Sequence, residues 1–467
     1  MSFARVALDL PLHRLFDYLL PDGLALTADD IGRRVRVPFG TRSRIGILVA
    51  LPATSEIPAT QLKPVEALLD DLPPLPADWF RLCEFCSAYY HAPLGEVMLS
   101  TLPAGLRRID PPKARQSRRN ASTQDAQSPP PLTAEQQAAL ASIDTGCGFR
   151  AWLLHGVTGS GKTEVYLRLI ERTLAAGKQA LLLVPEINLT PQLESRVAAR
   201  FPQAQLTSLH SELTEAARTR NWRAAFEGSA RIVLGTRLAV FTPLPELGLI
   251  VVDEEHDPSF KQQDGMRYSA RDVAVFRARE RNIPIVLGSA TPSLESWANA
   301  SDPRTPARYT LLTLKERAVS AARLPAVRRI DTRLEKLQDG FSEALLVAIG
   351  KRLERGEQSL VFLNRRGYAP VLACPACGWV SHCRRCAANL VLHLADGRLR
   401  CHHCGLETRV PKACPACANQ DIMPFGRGTQ RLEEVLAERF PQARILRVDR
   451  DSAKSRKQWE ALVERIY

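Results

Sequence analysis

The sequence predicts an α/β protein built on parallel sheet, with a small β-rich unit before it and a cysteine-rich insert towards its end. Three observations carry that expectation. From Leu132 onward, short apolar runs ("AWLLH", "QALLLVP", "RIVLG", "LGLIVVDEE", "IPIVLGSATP") end in polar residues and alternate with helix-like segments, as buried parallel strands and their crossover helices do. Before them, "RRVRVPFG" and "RIGILVAL" read as two strands joined by a glycine-bearing turn. After them, eight cysteines come as four CxxC pairs between 374 and 417.

A chain of 467 residues is too long for one core, and about three domains are expected. The formal net charge of +13 favours an anionic partner, most often nucleic acid. A merely soluble basic surface would carry the same charge. No stretch reaches the roughly 18 apolar residues of a membrane span. The first residues are broken by Arg5, Asp9, His13, Arg14 and Asp17 and offer no secretory core. We therefore expect a cytoplasmic protein with no membrane partner. In that compartment its 11 cysteines argue for metal rather than disulfides.

The elements follow in order. Residues 1–106 form the first unit, in which "ADWFRLCEFCSAYYHAPLGEVMLSTL" reads as helix broken at Pro93. Cys83 and Cys86 make a lone CxxC among apolar neighbours and are expected in the core. Residues 107–131, rich in Pro, Ser, Gln and Arg, read as a flexible basic linker. Residues 132–322 form one α/β unit. A second starts over 323–373 with "QSLVFLNRRG" as a strand. The cysteine insert spans 374–417, and a helix-then-strand pattern resumes over 418–467.

Chemistry is densest at "LLHGVTGSGKTEVYLRL", where Gly156–Thr163 fit GxxxxGK[ST]. The strand before and helix after are the required context. Gly156, Val157, Thr158, Gly159, Ser160 and Gly161 form the loop whose N–H groups curl round phosphate. Lys162 brings a point charge, and Thr163 offers a hydroxyl to Mg²⁺ at the helix N-terminus. Asp253 ends a buried strand, where it can hold Mg²⁺ through water, and Glu254 can deprotonate the attacking water. Gln136 is a weaker candidate for an adenine contact, an exposed helix glutamine being the alternative. ATP with Mg²⁺ is the cofactor this pattern asks for.

The cysteines ask for two structural Zn²⁺ ions. Each CxxC pair gives two thiolates on one turn, and two pairs complete a tetrahedron. "NLVLHLADGRLRC" reads as a hairpin turning at Asp396-Gly397. Closing it brings Cys383 and Cys386 beside Cys401 and Cys404, leaving Cys374, Cys377, Cys414 and Cys417 for an outer site. His382, His393, His402 and His403 are expected outside the ligand sets.

Further loops follow strands at "LVPEINLTPQ" (183–192), "GTRLAVFTP" (235–243) and "GSATPS" (288–293) and can contact a nucleic-acid backbone. In "DEEH", Glu255 and His256 can pass information from the nucleotide to neighbouring loops. Together these strings, with "VVDEEHDPSFKQQ", "YSARDVAV", "VFLNRRGYAP" and "VALDLPLHRLFDYLLP", resemble superfamily 2 helicases, and within them the PriA (primosomal protein N′) family of replication-restart helicases. That resemblance covers nearly the whole chain. It implies tandem RecA-like motor lobes, a 3′→5′ DNA translocase acting at stalled or branched forks, and reloading of the replicative helicase. It implies single-stranded and forked DNA with a free 3′ end as partner, and single-strand binding protein and other primosome proteins beside it. It places a pocket for the 3′ end at Phe16, Asp17, Tyr18, Gly40 and Lys63. It places a DNA-coupled loop after "DEEH", with Phe260, Lys261, Arg267 and Tyr268 able to meet bases and phosphates.

Met266 stands where the family usually has an aromatic, and only the linker occupies the place of the family's winged-helix domain. The string stops at Tyr467, before the second sheet is complete and before the family's γ-phosphate arginine. On that ground a truncated chain with weak or absent turnover is the alternative expectation, acting as a zinc-containing DNA-binding protein. A metabolic P-loop kinase with a zinc module is disfavoured by "GSATPS" and "GTRLAVFTP".

Overall fold

The computed structural model describes all residues except 1, 22, 23, 25, 110–128, 147, 186–190, 305, 319–325, 332, 333, 336, 338, 339, 363–370, 394–396, 426–428, 449–455 and 467. The chain divides into two units, Met1–Arg323 and Leu324–Tyr467.

The first unit opens with an antiparallel sheet of β1 (Phe3–Leu8), β2 (Phe16–Leu19), β3 (Arg34–Phe39), β4 (Arg42–Ala50) and β5 (Ala67–Leu69), in the order β2-β1-β4-β3-β5. The turn between β3 and β4 needs Gly40, at φ 61°, a conformation that costs other residues. Helices α1 (Ala77–Tyr90) and α2 (Leu94–Ser100) follow. The chain breaks between them at His91, left-handed at φ 52°, just ahead of Pro93. Cys83 and Cys86 are buried in the core between helices and sheet, and burial pushes the Cys86 thiol up to about 12.

After α3 (Ala134–Ser142) come β6 (Ala151–Gly156), α4 (Lys162–Ala175), β7 (Gln179–Leu183), α5 (Pro191–Arg200), β8 (Leu206–Leu209), α6 (Glu215–Phe226), β9 (Ile232–Gly235), β10 (Leu247–Asp253), α7 (Ala270–Glu280), β11 (Ile285–Ser289), α8 (Leu294–Ser301) and β12 (Thr310–Leu314). The seven strands pair in the order β12-β6-β11-β10-β7-β9-β8, all parallel. Side chains alternate across the sheet, as the strand period requires. Leu153, Leu181, Val233, Ile250 and Leu287 point into one core; Trp152, Leu154, Leu182, Leu234 and Val251 point into the other. β6, β10 and β11 are neighbours, so the loops after them converge at one edge, where ligands of such sheets bind.

The units on either side of residues 107–131 pack together. Trp79, Leu82, Val97 and Leu102 share one hydrophobic core with Leu153, Phe241, Ala274 and Leu287. Phe85 of α1 stacks on Phe276 of α7, centroids 3.7 Å apart and planes 8° apart. Asp71 bridges Arg34 of β3 and Arg223 of α6, and Arg281 reaches Asp78 at 3.3 Å. Apolar area across the linker settled the docking, which linker composition does not report. Residues 110–128 themselves lie outside the described residues.

The second unit contains α9 (Glu343–Glu354), β13 (Val371–Ala373), β14 (Val391–His393), β15 (Arg398–Arg400), β16 (Glu407–Arg409), β17 (Met423–Phe425), α10 (Thr429–Arg439) and α11 (Arg456–Ile466). β13 pairs with β17, and β14-β15-β16 form a separate antiparallel sheet. Two predicted strands are not seen. In "QSLVFLNRRG", residues 358–362 are irregular, with Leu360 and Phe362 exposed, and the rest lies outside the described residues. After α10, residues 443–448 are irregular too. A strand needs a ladder partner, and neither segment has one among the described residues.

Candidate nucleotide site, metal centres and DNA-facing residues

The cradle at 156–163 is set by backbone geometry. Gly159 (φ 83°) and Gly161 (φ 79°) are left-handed, which lets successive N–H groups turn into one concavity. A side chain on Gly161 would overlap the Gln136 amide. Thr158 is exposed, Val157 is held by its N–H to the Leu314 carbonyl at 3.2 Å, and Thr163 is half-buried in the first turn of α4. The Ser160 hydroxyl is buried with no hydrogen-bond partner among the described residues. Lys162, 8% exposed, donates from Nζ to the Gly156 carbonyl at 3.0 Å. An orphan hydroxyl, two left-handed glycines and a lysine resting on a backbone carbonyl make a set of donors that fits a phosphate.

Asp253 and Glu254 end β10 beside this loop. Glu254 Oε1 lies 3.8 Å from Lys162 Nζ. The Glu254 backbone is left-handed at φ 47°, a strained conformation for a residue that carries a Cβ, and its N–H donates to Asp253 Oδ1 at 3.1 Å. The Tyr166 hydroxyl donates to the same oxygen at 3.0 Å. Burial, then the Glu254 charge, hold the Asp253 carboxyl above the usual carboxylate range, against the opposing pull of Tyr166 and Lys162.

Gln136 is neither exposed nor free. It is 2% exposed, its Oε1 accepts from the Thr133 N–H at 2.9 Å, and its Nε2 donates to the Ser160 carbonyl at 2.9 Å. It is the third residue of a capping box with Thr133 and props the phosphate loop.

Glu255, its side chain wholly buried, is saturated. Oε1 accepts from the Ser293 N–H at 2.7 Å. Oε2 accepts from Ser293 Oγ at 3.1 Å, Ser296 Oγ at 2.8 Å and Arg271 Nη1 at 3.2 Å. His256 Nδ1 meets Ser289 Oγ at 2.7 Å. Strand ends β10 and β11 are thus tied through side chains. Sequence reasoning missed Tyr166, Arg271, Ser293 and Ser296. Tyr166 reads as helix core, and the serines read as turn and cap residues.

The eight cysteines gather into two sets, Cys374, Cys377, Cys414 and Cys417, and Cys383, Cys386, Cys401 and Cys404. Sγ atoms pair at 3.6 Å for Cys374–Cys417 and Cys377–Cys414, and at 3.5 Å for Cys383–Cys404 and Cys386–Cys401. A tetrahedron with Zn–S near 2.3 Å has edges of about 3.8 Å, so both sets fit zinc. The Arg385 and Ala416 N–H groups donate to Cys383 and Cys414 sulfurs at 3.4 Å, which favours thiolates. His393 and His402 face each other, Nε2 to Nε2 at 3.1 Å, and stand in neither set.

The predicted 3′-end residues lie close together on the first sheet. Asp17 is paired across strands with Arg5. Arg5 Nε donates to its Oδ1 at 2.8 Å, and Ser55 Oγ to its Oδ2 at 2.8 Å. The Arg5 bond holds the carboxyl below the usual range. Lys63 Nζ donates to the Gly40 carbonyl at 3.1 Å. Phe16, half-buried, meets Phe39 edge-on at 5.5 Å with the Arg14 guanidinium over its ring at 5.0 Å. Tyr18 is 5% exposed, and its hydroxyl donates to the Pro38 carbonyl. In the loop after "DEEH", Lys261 and Arg267 are exposed, but Phe260 and Tyr268 are buried. Tyr268 packs edge-on against Phe241 at 5.0 Å. The apolar area gained by burying both rings outweighs leaving them open to bases. The five residues "EINLT" (186–190) lie outside the described residues.

Residues 133–300 match the family model for the DEAD/DEAH box helicase, residues 5–103 that for a 3′ DNA-binding domain, and residues 383–409 that for the PriA DNA helicase Cys-rich region. The fold and its phosphate-loop site are those of a DEAD/DEAH-type helicase motor. Replication restart protein PriA of Haemophilus influenzae is 37% identical over 543 residues, spanning 100% of this chain and 72% of its own length. That of Bacillus subtilis is 44% identical over 342 residues, 72% of this chain and 42% of its own length. That of Rickettsia conorii is 36% identical over 451 residues, 96% and 67%. The chain belongs to the PriA replication restart protein family, whose members are ATP-dependent DNA helicases. No helix among the described residues is long and apolar enough to cross a membrane.

Proposed function

We propose that this chain binds magnesium-bound ATP at 156–163, Asp253 and Glu254, and uses it to move 3′→5′ on DNA at branched forks that present a free 3′ end, so that the replicative helicase can be reloaded. The observation that carries this reading is the meeting of Lys162, Asp253 and Glu254 at one sheet edge, in a chain that also carries the 3′ DNA-binding domain.

The magnesium nucleotide supplies a γ-phosphoryl group open to attack by water. Lys162 leaves its backbone perch to neutralise phosphate charge, the Ser160 hydroxyl donates to phosphate, and the Thr163 hydroxyl would help hold Mg²⁺. Glu254 takes the proton of the attacking water. Glu255 and His256, tied to Ser289, Ser293 and Ser296, carry the change to the loop holding Lys261 and Arg267. Those two cations meet DNA phosphates there. At the other end, Asp17 keeps one lone pair for a 3′-hydroxyl beside Phe16, Gly40 and Lys63. Two zinc ions, one per cysteine set, stiffen the insert. Single-strand binding protein is the natural protein partner at such forks.

The test is displacement of a labelled strand from forks whose leading-strand end is a 3′-hydroxyl or a 3′-phosphate. ATP-dependent displacement favouring the 3′-hydroxyl fork is expected. Displacement independent of that end would remove the 3′-end pocket from the proposal. No displacement of either fork, with DNA still bound, would refute the helicase reading for this chain.

A further inference from the structure

Tyr166 lies one turn after Lys162 on α4, 1% exposed. Its hydroxyl donates to Asp253 Oδ1 at 3.0 Å. The Glu254 N–H reaches the same oxygen at 3.1 Å, and among the described residues no hydrogen bond reaches Oδ2. Two protein donors therefore fix the rotation of the carboxylate and leave its second oxygen unspent. The neighbouring strand accommodates this. Gly288 sits beside Asp253 in the β10–β11 register, and a side chain there would overlap the Tyr166 hydroxyl. A tyrosine serving only as packing would not need its polar tip threaded into a gap that glycine alone leaves open.

We propose that Tyr166 is a positioning residue for nucleotide-bound magnesium, holding Asp253 by one oxygen so that the other faces the cation. The inference rests on the nucleotide reading above. It assigns α4 two tasks: Lys162 for the phosphates, and Tyr166 for the carboxylate that serves the metal. The room left by Gly288 makes the third strand end part of the same arrangement.

The experiment is equilibrium binding of a fluorescent ATP analogue to the full chain, with Mg²⁺ and with EDTA, for the wild type, Tyr166→Phe and Gly288→Ala. Tyr166→Phe keeps the ring and loses the donor. We expect it to bind the analogue roughly 10–100-fold more weakly in Mg²⁺, the size of one lost hydrogen bond to a charged group, and as the wild type does in EDTA. The half-saturating Mg²⁺ concentration should rise by a similar factor. Gly288→Ala displaces the hydroxyl and should reproduce the Mg²⁺-dependent loss. Equal weakening in Mg²⁺ and EDTA would reduce Tyr166 to packing and overturn the proposal, as would unchanged Mg²⁺ dependence in both variants. Failure of the wild type to bind the analogue in either condition would overturn the nucleotide reading and this inference with it.

Discussion

Replacing Glu255 by Gln puts an amide NH₂ where fixed donors already point. If the nitrogen takes the Oε1 position, it faces the Ser293 N–H, now 2.7 Å from the oxygen. If it takes the Oε2 position, it faces Arg271 Nη1 at 3.2 Å. The Ser293 and Ser296 hydroxyls can rotate to accept, but a backbone N–H and a guanidinium cannot. Either rotamer leaves one donor unanswered and removes the charge Arg271 pairs with in a fully buried site. Losing one partner of such a network costs about 3–5 kcal/mol. Arg271 keeps Asp272 at 2.8 Å, so about 3 kcal/mol is the better figure, with roughly 6–12 °C off the thermal midpoint for a domain of this size. Urea unfolding followed by tryptophan fluorescence measures it. A loss under about 0.5 kcal/mol, the scale of an ordinary surface change, would mean that the Glu255 network does not hold β10 to α8 and that the reasoning is wrong.

Other outcomes follow from the same structure. Metal analysis should find two zinc ions per chain, and Cys383→Ser should remove one while sparing the other, because the two sets share no ligand. Asp17→Ala should weaken binding to a 3′-hydroxyl end but not to a 3′-phosphate end; equal loss on both makes Asp17 structural. The Arg5 bond lowers the Asp17 pKa, so its stabilising contribution is complete above the ordinary aspartate range and is lost as pH falls through the lowered folded value. Unfolding midpoints of the wild type and Asp17→Asn should therefore differ at pH 6–7 and converge in strong acid. Phe85→Ala removes one ring of a stacked, part-buried pair and should cost about 2 kcal/mol of first-unit stability, with nucleotide affinity unchanged.

Much of this was legible because some residues can do little else. Gly159 and Gly161 sit between an apolar strand and a helix, and four CxxC pairs have few uses. Alternating apolar runs marked five of the seven strands, β6, β7, β9, β10 and β11, because both faces of the sheet are buried there; β8 and β12, the two edge strands, carry no such run. What was illegible depends on partners distant in sequence. Nothing in "KTEVYL" says that Tyr166 meets a carboxylate 87 positions on. Tyr18, Phe260 and Tyr268 carry aromatic rings that serve a core or a DNA face equally well, and only packing decides. Gln136 turned inward because Thr133 and Ser160 both needed its amide. The docking of the first sheet on the motor rests on apolar area spread over α1, α2 and α7, with no motif to announce it. The strand expected in "QSLVFLNRRG" failed over residues 358–362 because pairing, not hydrophobicity, makes a strand.

The measurement that tests the central claim most directly is ATP hydrolysis by this chain with and without a forked DNA bearing a 3′-hydroxyl, beside Lys162→Ala. The expected result is hydrolysis stimulated by the fork and abolished in Lys162→Ala, with DNA binding retained in the variant. Hydrolysis indifferent to DNA, or unchanged by loss of Lys162, would contradict the assignment of residues 156–163 as the phosphate cradle of a DNA motor.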